Sequence, residues 1–469
     1  MRVLSNLEPY DVFKYFEDIC LIPHASGNME QINKYCIDFA KKHNLEYYTD
    51  SLLNVVIKKP ASAGYENHPP IILQGHLDMV CEAAPGVEFD FESSPLNLEI
   101  DGDFIKSKGT TLGGDDGIAV AMILAILENK NLSHPKIEAV FTTDEETGLF
   151  GAQGLDTKVL DASNLINIDS EKMGVLTVSC AGGARADLSL SFSFSKCDMP
   201  YYKIKVGGLI GGHSGAEIDK RGLNANKVMG EFLGTLNSYQ IAYINGGTKD
   251  NVITKECECV VATDDDISKK ADLFVKENKN ETDKDLFIDI SACSEMPVFS
   301  ESDSKKAVSL INALPYGVIK MSKDIENLVQ TSLNMGIIKT EENCLHISFS
   351  VRSSVKDEKQ ELLDRLNIIA KQIGASFSTH GHYPAWQYKK DSKLRDIMAK
   401  TYLDLFDVPV KIEAIHAGLE CGMFSEKIKN FDAVSIGPDL YDIHTPDERL
   451  SVTSVKNCYK YLTAIMKNL

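Results

Sequence analysis

The sequence predicts an α/β fold, with a mostly parallel sheet flanked by helices and interrupted by an inserted α+β domain. Short apolar runs alternate with helical segments, which indicates strands that are buried on both faces, as in a parallel sheet. Apolar residues recur at helical spacing in the segments between these runs. We expect strands at 54–58, 70–74, 136–142, 165–168 and 433–436, an apolar helix at 117–128, and amphipathic helices at 29–43 and 450–467.

The middle of the chain has a different pattern. After Ala186, polar and apolar residues alternate in DLSLSFSFS, YYKIKV, ECECVVAT and CLHISFSV, and helical stretches at 224–236 and 359–373 separate these strands. A helix–strand pattern resumes after Lys390. We therefore predict a first domain made of residues 1–186 and 388–469, interrupted by a second domain at 187–387.

Composition excludes several classes of partner. The chain has 49 Lys and Arg against 68 Asp and Glu, a formal net charge of −19, which repels nucleic acid and anionic membrane surfaces. The longest apolar run, 117–127, is shorter than the roughly 18 residues of a membrane span, and the first residues lack the apolar core of a signal peptide. The 11 cysteines lack the dense spacing of secreted disulfide frameworks, so we expect a cytoplasmic protein.

Histidine and acidic residues follow the predicted strands at the point where each strand ends. In an open α/β sheet the carboxyl ends of the strands form the crevice where sites are built, so we expect these side chains to converge. A mixture of imidazole and carboxylate ligands suits zinc, manganese or cobalt. The residues are His76 and Asp78 after 70–74, Glu145 and Glu146 after 136–142, Asp169 after 165–168, His444 after 433–436, and Asp115 at the start of the apolar helix.

Each motif alone is more often a surface pair, a solvated turn or a helix N-cap, but their coincidence in one sheet favours a single site. Two cations about 3.5–4 Å apart need a bridging carboxylate, a role that suits Asp115 beside flexible glycines. Glu145 and Glu146 are adjacent and point in different directions, so one can bind metal while the other deprotonates water. Asp78 is placed to accept the far imidazole N–H of His76.

These motifs resemble those of a known family. The strings are LQGHLDMV, TLGGDDGIAVA, FTTDEETGLFGA, LINIDSE, SCAGGARADL, IGGHSGAEI, IHAGLECGMF and IHTPDERL. In order and spacing they are similar to motifs of the cytosolic aminoacyl-histidine dipeptidases (peptidase D, Xaa-His dipeptidases) of the di-zinc aminopeptidase and carboxypeptidase clan. The resemblance covers essentially the whole chain. It implies that the split domain is the catalytic di-metal domain and that the inserted domain is a lid through which a homodimer forms.

The resemblance also implies a role for each residue at the strand ends, and a cis peptide bond between Asp115 and Asp116. Where relatives commonly have Asn, Asp116 adds a negative charge, which leaves metal preference and pH optimum open. The implied roles are His76 and Asp169 on one metal ion, Glu146 and His444 on the other, Asp115 as the bridge, Glu145 as the general base, and Asp78 as the residue that orients His76.

Four further residues receive substrate roles from the resemblance. His213 in GGHSG would reach a substrate carbonyl or oxyanion, in relatives often from a partner subunit, although a lone histidine in a glycine-rich loop is more often structural. Arg352 would bind the substrate carboxylate, the alternative being a solvated arginine at a strand end. Glu420 would face the substrate ammonium or else begin a helix, and His416 would either support its loop or contact substrate.

We therefore expect a cytoplasmic metallodipeptidase with two divalent metal ions, zinc or else manganese or cobalt. It would hydrolyse unblocked dipeptides such as Xaa-His through a metal-bridging hydroxide. The same centre would serve a tripeptide aminopeptidase or an N-acyl amino acid deacylase. A non-catalytic peptide- or metal-binding protein is the alternative of another class, but such a protein has no need of Glu145.

Overall fold

The structure is a computed structural model, and it describes residues 2–220 and 222–469. The chain folds into two compact units. The first unit runs up to Ser179 and resumes over Tyr388–Ala414 and Leu419–Leu469, and the second comprises Cys180–Gln387 and Ile415–Gly418. Residues 180–186 belong to the second unit because the strand Gly182–Ser191 pairs with two strands of that unit, Cys344–Ser353 and Ser376–Tyr383.

Helices and strands occur throughout the described chain. The helices are α1 (Tyr10–Cys20), α2 (Glu30–Lys42), α3 (Gly114–Glu128), α4 (Phe150–Gly154), α5 (Ala225–Leu233), α6 (Ile267–Asn278), α7 (Glu301–Ala313), α8 (Lys356–Ile373), α9 (Lys393–Phe406), α10 (Glu420–Lys427) and α11 (Val452–Asn468). The strands are β1 (Glu46–Thr49), β2 (Val55–Lys59), β3 (Ile71–His76), β4 (Leu98–Asp101), β5 (Phe104–Ser107), β6 (Ile137–Thr142), β7 (Asn164–Asn167), β8 (Val175–Cys180), β9 (Gly182–Ser191), β10 (Phe194–Ser195), β11 (Tyr201–Gly207), β12 (Gly212–His213), β13 (Gln240–Gly246), β14 (Val252–Ile253), β15 (Cys257–Ala262), β16 (Phe287–Ala292), β17 (Val298–Phe299), β18 (Gly317–Met321), β19 (Val329–Glu341), β20 (Cys344–Ser353), β21 (Ser376–Tyr383), β22 (Lys411–Ile415), β23 (Asp432–Ser435), β24 (Leu440–Tyr441) and β25 (Arg449–Ser451).

The central sheet of the first unit has the strand order β1-β2-β6-β3-β7-β23-β8-β22. Its middle strands β6, β3, β7 and β23 are parallel to one another, whereas β1 and β2 on one side and β8 on the other pair antiparallel. Every residue of β3 and β6 is buried, as expected for strands covered on both faces. The prediction of a mostly parallel sheet is confirmed for the middle of the sheet, and the antiparallel strands flank it.

The predicted elements of this unit agree with the structure to within a few residues. The predicted strands correspond to β2, β3, β6, β7 and β23, and the apolar helix corresponds to α3. Helix α3 is apolar on all sides and buried, which is typical of a helix in the middle of a core. Its first turn is irregular, because Asp115 and Asp116 have φ and ψ values outside the helical region. A smaller sheet in the order β24-β25-β5-β4 completes the unit.

The second unit is built on an antiparallel sheet with the order β16-β11-β15-β13-β19-β20-β9-β21, in which β18 also pairs with β19. The apolar residues of β20 occupy alternate positions and are buried, namely Leu345, Ile347, Phe349 and Val351. These side chains pack with residues of α5, α7 and α8 in one core. The alternating pattern of the sequence therefore reflects a sheet whose inner face is covered by helices, and the α+β prediction is confirmed.

All eleven cysteines are free thiols. Across the described residues, none of the helices combines the length and apolar character that a membrane span requires.

Candidate metal centre

The residues predicted from the strand ends lie together in the first unit. Because β6, β3 and β7 are parallel neighbours, their carboxyl ends meet at one edge of the sheet. We call the side chains at this edge the candidate metal centre. Three groups of them have potential ligand atoms within 4.8 Å of one another: His76, Asp116 and Asp169; His76, Glu145 and Glu146; and Asp115, Glu146 and His444.

Asp115 lies between the two histidines. Its Oδ1 is 3.1 Å from His76 Nε2, and its Oδ2 is 3.2 Å from His444 Nε2. His76 Nε2 is also 3.8 Å from Asp169 Oδ1, and His444 Nε2 is 3.0 Å from Glu146 Oε1. One histidine–carboxylate pair therefore lies on each side of Asp115, so this carboxylate would be able to bridge two cations.

The tautomer of His76 follows from its second hydrogen bond. Its Nδ1 lies 2.9 Å from the main-chain carbonyl oxygen of Asp78. A carbonyl oxygen only accepts, so Nδ1–H donates to it and Nε2 is the ring nitrogen that faces the candidate metal centre. The Asp78 carboxylate is farther away, with Oδ1 3.5 Å from Nδ1. Asp78 thus lies where the sequence predicted an acceptor for the imidazole N–H, and its carbonyl oxygen makes the shorter contact.

The carboxylate of Asp78 also holds the loop that carries the two glutamates. It is buried and accepts the main-chain N–H groups of Glu145 and Glu146, at 3.0 and 3.2 Å. The hydroxyl of Ser26 donates to the same carboxylate at 2.8 Å. Asp144, which begins this loop, has a left-handed φ of 51°. These hydrogen bonds fix the sharp turn from which Glu145 and Glu146 project.

Burial makes the acids of this centre unusual. It raises the pKa of the Glu145 carboxyl to about 8, and neighbouring acids add to the effect. The pKa of His444 is raised by a different cause: its hydrogen bonds with Asp115 and Glu146 raise the pKa of the imidazole to about 10. A carboxyl with a pKa near neutrality is suited to proton transfer.

Asp116 lies inside the centre. It is buried, and its Oδ2 accepts the main-chain N–H of His76 at 3.1 Å. A Cβ atom at Gly75 would lie 2.6 Å from that oxygen, so the glycine is required for this approach. The Asp115–Asp116 peptide bond is cis, as the resemblance implies. Burial raises the pKa of Asp116 well above its usual range, which favours the neutral acid at this position.

The donor set fits divalent cations. Several carboxylates surround the buried imidazole of His76 and the exposed imidazole of His444, and burial raises the pKa of Asp169 as well as that of Asp116. Buried carboxylates are costly unless a positive charge compensates them, and a metal ion supplies that charge. Imidazole and carboxylate oxygen are ligands that zinc, manganese and cobalt accept. The residues able to hold two ions are His76, Asp115, Glu146, Asp169 and His444.

Glu420 begins α10 and is fully buried in the first unit. Its Oε2 accepts hydrogen bonds from Thr142 Oγ1 at 2.7 Å and from Gln74 Nε2 at 2.5 Å. Burial raises the pKa of this carboxyl to about 7. Gln74 and Thr142 lie within otherwise apolar strands, and no sequence pattern predicts their contact with Glu420. The expected contact of Glu420 with a substrate ammonium stays a prediction.

The second unit contains three of the predicted residues: His213, Arg352 and His416. We call them the His–Arg cluster. Nη1 of Arg352 donates to the hydroxyl of Tyr383 at 3.1 Å. His416 Nε2 lies 2.7 Å from the hydroxyl oxygen of Ser332. Burial and the nearby charge of Arg352 lower the pKa of His416 to about 3, so its imidazole is neutral.

The third member, His213, has a defined tautomer. Its Nδ1 accepts the main-chain N–H groups of Gly215 and Ala216, at 3.3 and 3.2 Å. Burial and the charge of Arg352 lower its pKa, so the ring is neutral and Nε2 carries the proton. His213 therefore offers one N–H donor. The substrate roles of the His–Arg cluster stay predictions, and Ser332 and Tyr383 are neighbours that sequence analysis did not single out.

Known proteins resemble this chain over its full length. Residues 72–468, which include every predicted metal ligand, match the peptidase family M20/M25/M40. The chain is 36% identical to the cytosol non-specific dipeptidase of Escherichia coli (strain K12), in an alignment covering 100% of this chain and 99% of that protein. Its structure resembles that of the aminoacylhistidine dipeptidase from Vibrio alginolyticus with a TM-score of 0.94 and 33% identity, covering 99% and 98%. Aminopeptidase PepT from Bacillus cereus ATCC 10987 shares the fold, with a TM-score of 0.58, 16% identity and coverage of 98% and 99%.

Proposed function

Because the chain belongs to the peptidase family M20/M25/M40, we propose that it is a metal-dependent dipeptidase that hydrolyses unblocked dipeptides, Xaa-His among them. The observation that carries this proposal is the position of Asp115 between the pairs His76–Asp169 and His444–Glu146. Two full-length relatives are named dipeptidases, one non-specific and one aminoacylhistidine. The name of the Escherichia coli relative also supports action in the cytosol.

The proposed centre holds two divalent ions, zinc or else manganese or cobalt. When bound, such ions polarise a carbonyl group and lower the pKa of water. Glu145 accepts the proton of the attacking water and passes it to the leaving amine, a task that suits a carboxylate projecting into the centre. Asp78 holds the Glu145 loop through its main-chain N–H groups.

We assign substrate binding to the second unit, together with the roles of lid and homodimerisation domain that the resemblance implies. His213 donates its Nε2–H to the scissile carbonyl oxygen or to an anionic oxygen that develops from it. Arg352 binds the carboxylate of the dipeptide, since a guanidinium matches a carboxylate with two parallel hydrogen bonds. Its buried Nε has no hydrogen-bond partner among the described residues, which supports this role.

The test is a substrate panel on protein loaded with zinc, manganese or cobalt. Free amino acids released from several dipeptides, Xaa-His included, are measured by chromatography. We expect turnover that a chelator abolishes and that added metal restores. N-acetylated dipeptides and tripeptides run beside them, because a dipeptidase needs a free amino group and a short substrate.

Each rival function has its own result in that panel. Cleavage of N-acyl amino acids without cleavage of dipeptides would replace the proposal by a deacylase. Preference for tripeptides would replace it by a tripeptide aminopeptidase. Two equivalents of bound metal without turnover of any amide would indicate a non-catalytic binding protein.

A further inference from the structure

Glu448 is a buried carboxylate to which the assignments above give no role. It lies four residues after His444, and its side chain is almost completely buried. Its carboxylate accepts four successive main-chain N–H groups of the loop that leads into α3. Oε2 accepts those of Leu112 and Gly113, at 2.7 and 3.1 Å, and Oε1 accepts those of Gly114 and Asp115, at 2.8 and 3.3 Å.

The loop is shaped around this carboxylate. Gly113 has a left-handed φ of 66°, which turns consecutive N–H groups to the same side and forms an anion-binding concavity. A Cβ atom at Gly114 would lie 3.2 Å from Glu448 Oε1 and 2.7 Å from Leu440 Cδ2. Gly113 is therefore needed for the turn, and Gly114 for the close approach of Glu448 and Leu440.

This contact links two parts of the candidate metal centre. The segment 444–448 supplies His444 at one end and Glu448 at the other. Glu448 holds the main chain of Asp115, and the Asp115 side chain lies between His76 and His444. A shift of the loop would move both oxygens of the bridging carboxylate at once. Hydrogen bonds that orient a metal ligand commonly contribute 10- to 100-fold in metal affinity or activity.

We propose that Glu448 is a positioning residue that holds the bridging Asp115 in place for both metal ions and thereby sets the metal affinity of the centre. The inference rests on the proposed two-metal function of Asp115. Burying a further carboxylate beside the acids of the centre is costly, and the four N–H groups compensate that cost only while the loop keeps this shape. The buried carboxylate of Glu448 therefore needs the N–H groups of the loop, and the loop needs this carboxylate as their acceptor.

The experiment compares Glu448→Gln with Glu138→Gln by titrating metal-free protein with Co²⁺. Glu138 is the matched control: it is fully buried and also accepts main-chain N–H groups, those of Asp161 and Ala162 at 2.9 and 3.0 Å. It lies at the opposite end of β6 from the candidate metal centre. Both variants lose a buried carboxylate, so a purely structural effect appears in both. Calorimetry gives the Co²⁺ affinity and stoichiometry, and visible absorption reports the coordination of the ion.

We expect Glu448→Gln to weaken Co²⁺ binding about 10- to 100-fold and to change the visible spectrum, because the amide NH₂ cannot accept two of the four N–H groups. Glu138→Gln should lower the melting temperature but leave Co²⁺ binding unchanged. Wild-type affinity and spectrum in folded Glu448→Gln, or an equal loss in Glu138→Gln, would overturn the proposal.

A second variant covers the case in which Glu448→Gln does not fold. Glu448→Asp keeps the charge on a shorter side chain. We expect it to lose less Co²⁺ affinity than Glu448→Gln and to show the same kind of spectral change. Wild-type binding in this variant would overturn the proposal. Substrate takes no part in these measurements. Failure of the inference therefore leaves the dipeptidase proposal standing, whereas a wild-type protein that binds no Co²⁺ would contradict the proposed centre itself.

Discussion

The candidate metal centre of the first unit and the His–Arg cluster of the second surround their histidines with opposite charges. His444 faces carboxylates, and its hydrogen bonds with Asp115 and Glu146 raise the imidazole pKa to about 10. His416 is buried beside the Arg352 guanidinium, and its pKa falls to about 3. The first region is thus arranged for cations, whereas the second offers hydrogen-bond donors to neutral or anionic oxygen atoms. Chemistry and substrate recognition should therefore respond to different mutations.

The largest effect is expected from Glu145. Glu145→Ala removes the proposed general base, and we expect kcat to fall about 10²- to 10⁴-fold, the usual contribution of such a group. The measurement is dipeptide hydrolysis by metal-loaded protein, with metal content determined on the same samples. Because the pairs around Asp115 remain, two metal ions should still bind. Full activity of this variant would exclude Glu145 as the base.

The next largest effect is expected from metal removal, which should lower the stability of the folded protein. A ligand that binds only the folded state at 100 times its Kd adds about 2.7 kcal/mol to the free energy of unfolding for each site. We therefore expect a chelator to lower the urea midpoint and re-added zinc to restore it. Asp115→Ala should abolish this metal-dependent gain, whereas Arg352→Lys should keep it. An equal loss of the gain in both variants would contradict the separation of the two regions.

Arg352→Lys should act on substrate binding. A lysine keeps the charge but loses the paired geometry of a guanidinium, so we expect KM for dipeptides to rise about 10- to 100-fold, with a smaller change in kcat. Dipeptides with an amidated C-terminus provide the control, since they lack the carboxylate that Arg352 would bind. A fall in kcat without a change in KM would remove Arg352 from carboxylate recognition.

The two regions also differ in how far they could be predicted. His76, Glu145, Glu146 and Asp169 follow strands directly, and the topology of a parallel sheet brings such strand ends together. The partners Ser332 and Tyr383 in the second unit carry no comparable signal, because they lie within strands of an antiparallel sheet and not at the carboxyl ends of parallel strands.

Contacts that depend on the local shape of the backbone could also not be predicted from the sequence. The four N–H groups that bind Glu448 converge only because Gly113 adopts a left-handed φ. Likewise, Asp78 was expected to accept the imidazole N–H of His76. Its main-chain carbonyl oxygen accepts Nδ1–H at 2.9 Å, while its carboxylate lies 3.5 Å from Nδ1 and also accepts the N–H of Glu145. A spacing of two residues allows either arrangement, and only the turn of the chain distinguishes them.

The smallest expected effect is the pH dependence of stability, which has opposite signs for His416 and His444. His416 has a pKa of about 3 when folded and about 6.5 when unfolded, so the unfolded state binds more protons in that interval and acid destabilises the protein. The contribution is at most about 1.4 kcal/mol per pH unit below 6.5. His444 in the metal-free protein has a raised pKa, so its contribution is present below 6.5 and is lost as the pH rises towards 10.

Urea unfolding of metal-free protein at pH 5 and pH 8 checks both signs. His416→Gln should lessen the loss of stability at pH 5, because the glutamine leaves no imidazole to protonate there. His444→Gln should reduce the advantage of acid pH over pH 8, since it removes the imidazolium that faces Asp115 and Glu146. If both variants shifted the pH dependence in the same direction, the two histidines would not lie in opposite fields, and the contrast between the candidate metal centre and the His–Arg cluster would fail.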